Sequence, residues 1–350
     1  MVKLFGEKYT KKELLTKVGD ISQIANAVQY ELQDGNEKGV EMVQFNTGSG
    51  FSFNVAFSRG MDITHASQNG IPLCWRSSTG DVSPAFYEPE GLGWLRSFYG
   101  GLVTTCGMTY AGAPCEDDGK QLGLHGRVSN ILTKNIQVDS YWEKDEYYLF
   151  AKGKLRETTV FGENIQLTRE IKTQLGKSKL WIYDTVENLG YQKTEHMYLY
   201  HINIGFPVVD AGSELISPTV KAVPRDKEAE IGKQDYNKFS SPVPGYKEKV
   251  YYHTMKPDSK GNVTAAIVNK QFNNNKGIGI YVKYPVKHLP YFIEWKMMGQ
   301  GTYVVGMEPA NCKVEGRAKF RKEGLLQFLE PGEKREYKLE IGVLENGLVF

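Results

Sequence analysis

Six histidines, His65, His125, His196, His201, His253 and His288, are the side chains of this 350-residue sequence that titrate near neutral pH in their ordinary state. Two of them, and one glutamate, stand in segments suited to chemistry. In Leu122-Gly123-Leu124-His125-Gly126-Arg127 a histidine lies between glycines, where backbone approaches a ligand closely, and Arg127 adds a rigid fork of donors. In Tyr200-His201-Ile202-Asn203-Ile204-Gly205-Phe206-Pro207, His201 shares a strand face with Leu199 and Asn203 by the period of two. In Gly306-Met307-Glu308-Pro309-Ala310-Asn311 a glutamate precedes a proline at the end of Tyr303-Val304-Val305, where partial burial raises a carboxyl pKa. An imidazole and a carboxyl tuned towards neutrality form an acid–base pair. Each segment also has a purely structural reading: a hydrogen-bonded strand histidine, or a Glu-Pro turn.

Other residues carry the same double reading. Arg59 and Asp62, three apart in Arg59-Gly60-Met61-Asp62, suit either a buried ion pair or a clamp on vicinal hydroxyls. Trp295 and Tyr303 suit core packing or stacking on a ring, and Lys296 beside Trp295 is a further candidate. No dense Lys/Arg cluster marks a phosphate pocket, which leaves Arg127 as a single candidate. HExxH, GxxxxGK[ST], GxSxG and EF-hand loops are missing from the sequence, and its two Gly-x-Gly-like stretches, Tyr99-Gly100-Gly101 and Gly299-Gln300-Gly301, have no βαβ pattern around them.

The elements that must hold these groups read as β-structure. Phe51 to Phe57 alternates apolar with small or polar residues. Tyr147–Leu155 and Ile165–Thr173 read as strands joined by the turn Phe161-Gly162-Glu163-Asn164. Lys179–Val186, His196–Phe206, Val263–Val268, Ile278–Tyr284 and Tyr337–Val343 follow. Helical signals are few: Thr10 with Glu13 forms a capping box for a short helix, and Ile21–Ala25 suits one further turn. Strands along the whole length predict an all-β chain, a large antiparallel β-sandwich with few short helices, and 350 residues allow one large domain or two smaller ones. The polar stretch Lys221–Lys249 reads as a long excursion between strands, of the kind that often lines a site.

With 43 Lys+Arg against 41 Asp+Glu and a net charge of +2, nothing calls for a nucleic-acid or anionic-membrane partner. Hydrophobic residues at 40% and aromatics at 12% exclude global disorder. Met1 to Lys17 contains no unbroken apolar run, so neither a secretory signal nor a membrane helix is expected. Cys74, Cys106, Cys115 and Cys312 match no zinc spacing or tight disulfide framework, so the expectation is reduced thiols in a cytoplasmic protein.

The three site segments, taken in order, resemble the aldose 1-epimerase (galactose mutarotase-like) superfamily. The branch most similar is the one catalogued as DUF4432, on Val18-Gly19-Asp20-Ile21-Ser22-Gln23, Arg59-Gly60-Met61-Asp62-Ile63, Leu124-His125-Gly126-Arg127, Phe161-Gly162-Glu163-Asn164, His201 to Pro207 and Glu308-Pro309-Ala310-Asn311. The resemblance implies a galactose mutarotase-like supersandwich spanning residues 1–350 as a single domain, and a cofactor-independent isomerase of a small-molecule sugar, with no metal. It implies His201 as general acid, Glu308 as general base and His125 as a sugar ligand. Arg127, Arg59, Asp62, Trp295 and Lys296 are the further substrate-binding candidates. The chain departs from galactose mutarotases at Gly101–Gly107, where their Asn-Arg pair has no arginine counterpart, so Arg127 or Arg59 is expected in that role. No aspartate among Asp210, Asp226, Asp235 and Asp258 stands in a recognisable sugar-binding motif. Three other functions fit the same residues: a noncatalytic carbohydrate-binding protein, an epimerase acting at another sugar carbon, and a metal site built from His125, His201 and Glu308.

Overall fold

The computed structural model describes residues 1–345. Alternation of buried and exposed residues builds its main layers. Glu146–Thr158, Asn164–Gln174 and Lys179–Asn188 bury every second side chain, as strands with one face on a core do. With Lys134–Glu143 they form one half of an eight-stranded antiparallel sheet, continued by Lys334–Glu345, Ile278–Pro285, Asn262–Asn269 and Glu214–Ile216. A second sheet runs in the order Thr219–Pro224, Lys249–Met255, Tyr291–Met298, Tyr303–Ala310, Thr194–Ile204 and Gln327–Leu329, with Thr104–Met108 paired to Thr194–Ile204 as well. A five-stranded meander over residues 26–72 completes the sandwich, and one apolar core joins side chains from all three sheets.

The expected strands are present, most of them one to three residues longer at an end because the apolar pattern fades before pairing stops. Thr10 caps the helix Lys11–Leu15 through the reciprocal bonds with Glu13. Two expectations change. Lys221–Lys249 is a structured strap: it enters on the strand Thr219–Pro224 and carries the short helix Lys227–Ile231, capped by Asp226. Glu308 and Pro309 lie inside the strand Tyr303–Ala310, not in a turn beyond it.

Arg169 is fully buried between Asp62, at 2.9 Å, and Asp184, at 2.7 Å. The hydroxyls of Tyr198 and Tyr200 donate to Asp184. This network holds one face of the strand Thr194–Ile204, and His201 stands on the other face. Removing one partner would strand a buried charge at a cost of about 3–5 kcal/mol.

Candidate active site

The strand Thr194–Ile204 pairs Leu199 with Ala310 and Ile202 with Met307. That register sets His201 directly opposite Glu308. No ladder pair is recorded at the two positions between, and Pro309 has no N–H to offer there. Nε2 of His201 stands 3.2 Å from Oε1 of Glu308. The contact lacks hydrogen-bond alignment, so Oε1 has no partner among the described residues, and neither has Nδ1 of His201. Gly306 makes the pairing sterically possible. A Cβ there would lie 2.6 Å from Oε1 of Glu308 and 3.3 Å from Cε1 of His201.

His125 arrives from a separate loop in the left-handed conformation, with φ of 57°. Its backbone N–H donates to Gly112 and its carbonyl accepts from Gly107. Gly107 and Gly126 are packed so closely that a Cβ on either would lie within 2.5 Å of a backbone oxygen. Strain of this kind persists where the surroundings over-determine the backbone. The imidazole reaches the His201 ring, edge to face, at 5.9 Å, and its Nδ1 is also unpartnered.

These three side chains open on one cavity of about 280 Å³. Its walls are largely aromatic and aliphatic: Trp94, Phe98, Trp295, Leu92, Leu124 and Val250. Trp94 lies 4.8 Å from the His125 ring, and Trp295 and Phe98 lie 5.2 and 5.3 Å from His201. Burial is the largest cause of the shifts here. It pushes His201 down to about 3 and His125 down to about 4, and holds Glu308 well above the usual carboxyl range. At neutral pH both rings are therefore neutral, and Glu308 holds its proton more tightly than an ordinary carboxyl does.

Of the residues expected from sequence, the fold brings His125, His201, Trp295 and Glu308 together. The others lie outside the cavity, and their expected sugar contacts are corrected on physical grounds. Arg59 is buried and spends its guanidinium on the carbonyls of Ser129, Val82 and Ser97. Asp62 accepts from Thr105 and Arg169. The ammonium of Lys296 is held by the carbonyls of Asp235 and Lys238 on the sheet face that the strap covers. Arg127 is exposed, and the left-handed turn at His125 and Gly126 removes the extended geometry that would aim it with His125. Tyr303 lies outside the lining too and donates to Ser240. The arginine that does line the cavity is Arg225, with Glu248, each at one end of the strap. Sequence reasoning singled out the strap but neither residue, and it missed Trp94 and Phe98. A wider groove of about 620 Å³ beside the N-terminal helix is lined by Lys17, Gln23, Asn46 and glycines, with no acid–base pair. Among the described residues no group of three or more His, Cys, Asp or Glu could hold a metal ion, and no helix is long and apolar enough to cross a membrane.

The fold is that of a galactose mutarotase-like sandwich. A Klebsiella pneumoniae protein proposed to be an aldose 1-epimerase superposes with a TM-score of 0.86 at 22% identity, over 93% of this chain and 88% of that one. A galactose mutarotase-like protein from Clostridium acetobutylicum gives 0.61 at 12% identity, over 92% and 99%. A galactose 1-epimerase from Lactobacillus acidophilus gives 0.57 at 13% identity, over 92% and 99%. These likenesses are of fold. The model of the family described as "Domain of unknown function (DUF4432)" matches residues 37–343, and the chain belongs to that family. Among curated proteins no match is found.

Proposed function

We propose that the protein is an aldose 1-epimerase-like isomerase that interconverts the α and β anomers of a sugar without a cofactor. The observation that carries this reading is the His201–Glu308 pair, 3.2 Å apart at the cavity. Mutarotation takes a proton from the anomeric hydroxyl and delivers one to the ring oxygen. The ring opens, the C1–C2 bond rotates and closure from the other face reverses both roles. Two groups that share one proton suit this cycle, because each turnover returns the proton it used. With Glu308 as base and His201 as acid, the proton passes from the carboxyl to the imidazole as the sugar binds. The sugar's polar atoms supply the hydrogen bonds that Oε1 of Glu308 and Nδ1 of His125 lack. His125 binds a sugar oxygen and Trp295 offers its ring to the sugar's C–H face.

The test is anomeric exchange followed by NMR over a panel of pentoses, hexoses and deoxypentoses. His201→Asn and Glu308→Gln should each slow exchange at least about a hundredfold, with the fold intact by thermal melting. Near-normal exchange in both variants, on a sugar the parent turns over, would sink the reading. A noncatalytic carbohydrate-binding protein would instead bind the sugar without accelerating exchange.

A further inference from the structure

Arg225 is the one lysine or arginine whose side chain lines the cavity among the described residues. It follows directly on the strand Thr219–Pro224, and Glu248 directly precedes the strand Lys249–Met255. Those two strands pair, and the backbone N–H of Arg225 donates to Val250. The two ends of the strap therefore meet at the cavity. The guanidinium is already engaged on two sides: Nε donates to Asp226 at 2.8 Å and Nη2 donates to Glu248 at 2.8 Å. The other oxygen of Glu248 accepts from the indole N–H of Trp295, also at 2.8 Å. One carboxylate thus covers the arginine and fixes the tryptophan that stands edge-on to His201.

We propose that this cavity takes an uncharged sugar and rejects sugars that carry a phosphate or a carboxylate, and that Glu248 is the residue that enforces the choice. The inference rests on the isomerase reading and adds the substrate class to it. A phosphate monoester brings about −1.5 to −2 charges near pH 7. To bind here it would meet one positive charge flanked by two negative ones, Asp226 and Glu248. The two histidines cannot make up the deficit, since burial keeps both rings neutral. Burial likewise raises the pKa of Glu308, and an anion close by would raise it further, disfavouring the ionised form it needs as a base. Trp295 cannot donate to an anion either, because its N–H is committed to Glu248. The apolar walls and the small volume leave room for one ring and its hydroxyls. Specificity here comes from a repulsive element beside an otherwise suitable donor.

The experiment has two arms on the full chain. In the first, inorganic phosphate is titrated against the intrinsic fluorescence of the tryptophans, two of which, Trp94 and Trp295, line the cavity. The parent should show no saturable response at millimolar phosphate. Glu248→Gln should bind phosphate at least about tenfold more tightly, and Glu248→Gln with Arg225→Gln should lose that gain. Saturable binding by the parent that Arg225→Gln removes would overturn the proposal, and so would a Glu248→Gln variant that gains nothing. In the second arm, anomeric exchange is compared for D-glucose, D-galactose, their uronates and their 6-phosphates. Exchange of an anionic form as fast as its neutral parent overturns the proposal while leaving the isomerase reading intact. Exchange of no neutral sugar across the full panel of pentoses, hexoses and deoxypentoses defeats the isomerase reading, and the phosphate arm still decides the charge selection.

Discussion

At the residue scale the site depends on one absent side chain as much as on those present. His201 and Glu308 face each other across neighbouring strands, and Gly306 clears the volume in which both rest. Adding a methyl group at 306 forces the carboxyl, the imidazole or the Trp295 wall to move, because Cβ of Trp295 would lie 3.1 Å away as well. A displacement of about 1 Å in reacting groups costs on the order of a hundredfold in rate. Gly306→Ala should therefore slow anomeric exchange by about that factor with little change in melting temperature, since alanine is tolerated in a strand. Parent-like exchange with a lowered melting temperature would assign Gly306 to packing alone. This role was not legible in sequence. A glycine two residues before a glutamate gives no sign that three side chains from three strands converge on it.

At the element scale the strands were legible and the strap was not. Tyr147–Leu155, Ile165–Thr173 and Lys179–Val186 read as strands bounded by turn residues, and in the fold they bury every second side chain, as a half-buried sheet does. The strap has no such period. Its backbone carbonyls are bound by side chains of the sheet beneath, Lys249 to Glu228, Tyr251 to Ala229, and Lys296 to Asp235 and Lys238. Nothing in the sequence marks Lys249 and Tyr251 for this role, and Lys296 reads there as a sugar-binding candidate instead. For the same reason Arg225 and Glu248, 23 positions apart, could not be matched before the fold was known. The histidine loop was partly legible: the glycines around His125 did signal close backbone approach, but the left-handed turn separates His125 from Arg127. The two residues should now behave differently. His125→Ala should lower exchange about tenfold or more by removing a ligand for the sugar. Arg127→Ala should leave turnover per folded molecule unchanged. Exchange rates and thermal unfolding on the same preparations separate these outcomes, and equal loss of turnover in both variants would place Arg127 back at the sugar.

At the scale of the whole molecule, burial of ionisable groups ties stability to pH through two opposed sets. His125, His196 and His201 are held down to between about 3 and about 4. The folded state resists protonating them, so their contribution is complete above the ordinary histidine pKa of about 6.5 and is lost as pH falls below it. Glu157, Glu294 and Glu308 are shifted the other way by burial. Their contribution is complete below the ordinary value of 4.5 and is lost as pH rises through the folded value. Between about 4.5 and 6.5 the two sets oppose each other. Above that window only the carboxyls act, and Glu157 is the clearest case, raised to about 7. It is buried on the strand Glu146–Thr158, accepts from Thr109 through one oxygen and leaves the other without a partner among the described residues. At ~1.4 kcal/mol per pH unit, the rise from 4.5 to about 7 amounts to about 3 kcal/mol once the group is forced to ionise. Glutamine keeps the acceptor for Thr109 and has no charge to bury. Glu157→Gln should thus match the parent near pH 4.5 and exceed it by up to about 3 kcal/mol at pH 8, measured by denaturant unfolding at both values. The fold's demand for a neutral carboxyl at this point predicts a difference that grows with pH. A constant difference, or one that shrinks as pH rises, would mean that Glu157 is ionised in the folded protein and that Arg127 and Arg317, whose charges favour its ionised form, outweigh its burial.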